Sequence, residues 1–158
     1  MKTIRTRKPG SLTAYLLMLI LLIPALTACS GQRAKELGDF HSDVSAFFDR
    51  YEAYNETIAS IDTADPNAEA VLLNTADKML SDADALCALK APDGFDDFSD
   101  YAAEYRSHIE NAVGSLHRAF GEEAFDQAAF DTALPELDAA SSALSLMASA
   151  LRRAAKIQ

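Results

Sequence analysis

Apolar side chains recur every three or four positions along most of this 158-residue chain, and no stretch alternates with period two long enough to make a strand. Leu37, Phe40, Val44, Phe47, Tyr51, Tyr54, Ile58 and Ile61 step by threes and fours onto one stripe, which predicts a helix over about 33–62. Asp65-Pro66 follows as an N-cap with proline at the first helical position, where a missing N–H costs nothing. A second helix is expected over about 66–90, on Leu72, Ala76, Met79, Ala83, Leu86 and Leu89. It stops before Pro92, because proline pushes its predecessor out of the α region.

Asp93 can cap a third helix, about 94–120, built on Phe95, Phe98, Ala102, Tyr105, Ile109, Ala112, Leu116 and Phe120, with Gly121 as a left-handed C-cap. A fourth stripe runs through Leu137, Ala140, Leu144, Met147, Leu151 and Ala154. Arg152, Arg153 and Lys156 stand at its end, where the helix dipole favours cations. Pro135 leaves two starts open: Asp131 with the proline in the first turns, or near Glu122 with a kink at Pro135, which is preferred. Helices of 25–30 residues span about 40 Å. Joined by short connections, they predict an all-α, antiparallel up-down-up-down four-helix bundle, with a three-helix bundle and C-terminal arm as the runner-up.

Ahead of the helices stands a different pattern. Lys2, Arg5, Arg7 and Lys8 open the chain with no acidic residue before Cys29, and an almost wholly apolar run from Leu12 to Ile23 follows, broken by Pro24. A basic start, an apolar middle and small residues at the end describe a removable export signal, shorter than the roughly 20 apolar residues of a membrane-spanning helix. The final Leu26-Thr27-Ala28-Cys29 resembles the lipobox of bacterial lipoproteins. That resemblance implies that Leu26, Thr27 and Ala28 are read by the lipoprotein signal peptidase, and that Cys29 becomes a lipidated N-terminus. The segments expected are thus 1–28 signal peptide, 29–33 lipidated cysteine and tether, and 34–157 acidic bundle. The protein is then expected on the extracytoplasmic face of a membrane, held through its acyl chains, two or three of which anchor stably where one does not. Ser30 replaces the aspartate that retains some lipoproteins in an inner membrane, which leaves an outer membrane open as the destination in a cell that has one.

Loss of residues 1–28 takes the formal net charge from −10 to −14, since it removes four basic residues and no acidic one. Such a balance argues against nucleic acid and against docking on anionic lipid as partners. About 130 mature residues suit one domain. Lipidation consumes Cys29 and leaves Cys87 alone, so packing rather than a disulfide framework must hold the fold.

Catalytic and metal-binding patterns are thin. His41, His108 and His117 have no glutamate three positions before them, as a di-iron bundle requires, and Glu104 with His108 supplies only two ligands. No Cys-x-x-Cys-His exists for haem, and Met79 and Met147 fall on core positions. Asp93, Asp96, Asp97 and Asp100 lack the alternating ligands of a calcium loop and suit the positive end of a helix. No nucleophile elbow or phosphate loop is found, and Cys87 beside Leu86 reads as a buried small hydrophobe. Tyr51, Tyr54, Tyr101 and Tyr105 read as the boundary of a core.

A lipobox followed by acidic amphipathic helices resembles the small uncharacterised lipoproteins of Gram-positive bacteria. The turn Leu89-Lys90-Ala91-Pro92 leading to Phe95, Phe98 and Tyr101 is similar to one in such proteins. The resemblance implies a non-enzymatic envelope protein without cofactor, binding a protein or another envelope component. The alternative is a bundle that holds a metal or small ligand through His41, His108 or His117 and acidic neighbours.

Overall fold

The computed structural model describes residues 31–121 and 124–157. The expected signal peptide with Leu26, Thr27 and Ala28, the expected lipidation site Cys29, and Ser30 lie outside them. The chain folds as an all-α, up-down-up-down bundle of four helices: α1 (Gly31–Ala59), α2 (Ala68–Cys87), α3 (Phe98–Phe120) and α4 (Gln127–Ile157). No strand occurs among the described residues.

The predicted stripes are the core. Leu37, Phe40, Val44, Phe47 and Tyr51 of α1 are buried, and Tyr54, Ile58 and Ile61 are half-buried towards the far end. On α3, Phe98, Ala102, Tyr105, Ile109, Ala112 and Leu116 are almost inaccessible to solvent. Two kinds of packing join the helices. Large rings set α1 against α3: Phe40 meets Phe98 edge-on at 4.9 Å between centroids, and Phe47 meets Tyr105 at 5.5 Å. These pairs keep one register, so α1 and α3 run parallel. Small residues set α3 against α4, the most extensive helix pairing in the bundle. Ala112, Ser115 and Ala119 are buried on α3, and Ala133, Ala140 and Ala143 on α4, so little side chain holds the axes apart.

Most helix boundaries shift from their expected places, several for a local reason, while α3 ends at Phe120 as expected. The tether expected over 29–33 is already helical from Gly31. Asp65-Pro66 does not open α2, since Asp62 and Asp65 each turn the connection on themselves. The Asp62 carboxylate accepts the Ala64 N–H (2.9 Å), and that of Asp65 accepts the Asn67 N–H (2.8 Å), which delays the helix to Ala68. Asp93 does not cap α3. Gly94 takes φ 93°, a left-handed conformation, and turns closed by Phe95 N–H to Pro92 O (3.1 Å) and Phe98 N–H to Phe95 O (3.0 Å) carry the chain to Asp97. This detour seats Phe95 against Phe40 at 5.4 Å.

Gly121 is not a left-handed cap either; its φ is −83°. A Cβ built there would lie 2.5 Å from the His117 carbonyl oxygen, so this position needs glycine for room. α4 starts at neither expected place. Asp126 is its cap, with a carboxylate that accepts the Ala129 N–H (3.0 Å) and an N–H that donates to Ala119 O (2.9 Å). Pro135 lies inside the helix. No helix among the described residues is long and apolar enough to cross a membrane.

Candidate functional site

α3 presents its histidines to its two neighbours. His108 Nδ1 lies 2.7 Å from Glu136 Oε2 on α4, and His117 Nε2 lies 2.7 Å from Asp77 Oδ1 on α2. Neither partner was foreseen, because each pair joins residues far apart in sequence. Glu104, the neighbour considered for His108, is not the residue that reaches it. The Glu136 carboxyl is held below its ordinary value, first by the hydrogen bond from His108, against partial desolvation, and then by Asn111 and the His108 charge. His41 is half-buried on α1, and its Nε2 is enclosed without a hydrogen-bond partner. Among the described residues, no three His, Cys, Asp or Glu side chains converge as metal ligands would.

A polar knot that periodicity did not reveal ties α1 to α2. Arg50 Nε donates to Asp82 Oδ2 (2.8 Å), and the Tyr54 hydroxyl donates to the same oxygen (2.9 Å). Burial, then the bond to Asp82 and its charge, push the Tyr54 phenol up, while Arg50 pulls the other way. Tyr105, deep in the core with its ring edge-on to Tyr51, is pushed up mainly by burial. The tyrosines thus divide: Tyr51 and Tyr105 are core, and Tyr54 and Tyr101 are its boundary.

Cys87 is exposed, which corrects the expectation of a buried small hydrophobe. It stands one residue past the core position Leu86, at the last residue of α2. Partial burial of the sulfur raises the thiol pKa, Arg106 opposes this and Asp84 adds to it, so the thiolate is disfavoured. Arg106 itself bridges Asp84 (2.6 Å) and Glu110 (2.8 Å).

Two open clefts mark the bundle ends. One of about 230 Å³ lies between the α3 N-terminus and the end of α4, lined by Phe95, Asp96, Asp97, Leu151, Arg153 and Ala154 among others. Asp97 stands at the N-cap there, and its side chain makes no capping hydrogen bond. The other, about 530 Å³ and wide open, is formed by His117, Arg118, Gly121, Ala124 and Asp126 at the α3–α4 connection. Beside it three rings gather: Phe120 to Phe125 at 5.1 Å, Phe125 to Phe130 at 5.6 Å and Phe120 to Phe130 at 6.1 Å. Phe125 remains 49% exposed, and Leu134, one turn along α4 from Phe130, remains 48% exposed. Comparison with protein families, with curated proteins and with solved structures finds no match to this chain.

Proposed function

We propose that the protein is a membrane-anchored extracytoplasmic lipoprotein that acts by binding, as a non-enzymatic interaction module of the cell envelope. The observation that carries this reading is Leu26-Thr27-Ala28-Cys29 at the end of a basic-then-apolar leader, with helical backbone from Gly31, two residues later. Diacylglycerol on Cys29 places the bundle directly on the bilayer surface, with α1 rising from it. The acidic exterior keeps the body soluble and off anionic lipid, so the acyl chains do the holding. Binding rather than turnover is supported by large apolar side chains left half-exposed on an otherwise strongly charged surface.

Intact-mass measurement of the protein extracted from native membranes tests the anchor. The expected product lacks residues 1–28 and carries acyl mass on Cys29, and Cys29→Ser abolishes both changes and releases the protein from the lipidated membrane fraction. A native product that keeps residues 1–28, or whose Cys29 is unmodified, overturns the reading.

A further inference from the structure

The two ends of the bundle differ in charge. α1 and α3 run parallel, so the end of α3 lies about 40 Å from Gly31, at the far end of the molecule from the proposed anchor. Segments 31–40, 87–100 and 150–158, at the near end, hold six acidic and six basic residues. The described residues of segments 56–72 and 117–133, at the far end, hold six Asp or Glu and a single basic residue, Arg118, a formal charge of −5. The acidic end is therefore the one that also carries the Phe120, Phe125 and Phe130 rings and the exposed Leu134.

We propose that this aromatic end is a docking surface for a basic amphipathic segment of a partner protein, one that sets leucine-like side chains on Phe125 and Leu134 and lysine or arginine among the flanking carboxylates. The inference rests on the binding-module reading and gives it a place and a partner chemistry. Charge selects the occupant. A second copy of the chain would bring −5 against −5, and an anionic bilayer would be repelled as well as being at the other end of the molecule. A cationic partner is attracted by the same field, and its apolar face covers the rings that water now touches. Exposed Glu69, Asp126 and Asp131 are placed to meet it, and the one cation of this end, Arg118, donates to the Ser115 hydroxyl (2.9 Å).

The chain has no tryptophan, so Phe125→Trp supplies one emission reporter at the surface itself. The lipidated variant is placed in nanodiscs of zwitterionic phosphatidylcholine and titrated with a synthetic 14-residue Leu/Lys amphipathic helix; empty discs and a Leu/Glu version of the peptide serve as controls. The expected result is a shift of emission to shorter wavelength with the Lys peptide alone, weakened when salt rises from about 50 to about 300 mM. Adding Leu134→Ser, at an exposed position the fold tolerates, weakens binding about tenfold. No shift with the Lys peptide, an equal shift with the Glu peptide, or unchanged affinity after Leu134→Ser overturns the proposal. A shift that depends on protein concentration without peptide makes the occupant a second copy, which also overturns it. Intact mass of the same preparation reports the anchor separately, so a lost anchor and a lost docking surface give different results.

Discussion

Two glycines in or next to α3 carry opposite expectations. Gly114 sits inside the helix with open space where a Cβ would be, so Gly114→Ala is expected to stabilise by about 0.5–1 kcal/mol through a less flexible unfolded chain. Gly121→Ala drives a methyl onto the His117 carbonyl and is expected to cost about 1–3 kcal/mol. Denaturant midpoints of the two variants should move in opposite directions. The sequence shows that a glycine ends the helix, but handedness and crowding both call for glycine, and only backbone positions separate them. Cys87 is a similar case. Its exposure was not legible in the spacing, since position 87 is four residues past buried Ala83 and shares its face; it follows from where the helix stops. At Glu136 the sign of a pH effect follows from its lowered pKa. A depressed carboxyl contributes stability above its ordinary value of 4.5, and loses it as pH falls through the lower value held in the bundle. Thermal scans should therefore show native protein more stable than Glu136→Gln at neutral pH, with the difference closing in acid.

Helix existence and core faces were legible because a 3.6-residue period reports a buried stripe directly. Ends were not, because each end is decided by a few hydrogen bonds with competing local solutions. Asp65-Pro66 carries the signal of a helix start, yet the Asx turns at Asp62 and Asp65 take those groups first. Asp126 was the overlooked signal, a capping residue three positions before the N–H it receives. The alanine seam between α3 and α4 belongs to this scale too. Ala140 is buried almost completely, so Ala140→Leu is expected to destabilise by about 1–3 kcal/mol, read as a lowered urea midpoint with unchanged slope.

Across the whole molecule, a formal net charge of −10, or −14 without residues 1–28, sets a general repulsion that the few ion pairs among the described residues do not offset. Raising salt from about 10 to about 300 mM should therefore raise the thermal midpoint by several degrees, as screening relieves more repulsion than it costs bridges such as Arg50–Asp82. A falling midpoint would show the bridges to dominate. Four amphipathic stripes, the acidic balance and the export and lipobox pattern are local or additive properties, so the chain specifies them without knowing its own fold. Which carboxylate meets His108, which oxygen Tyr54 shares with Arg50, and which rings of α1 meet Tyr105 depend on residues brought together from distant segments. Such contacts follow from how the helices pair and slide past one another. That register is settled by the joint fit of aromatic knobs and alanine gaps, and no single stretch of sequence contains it.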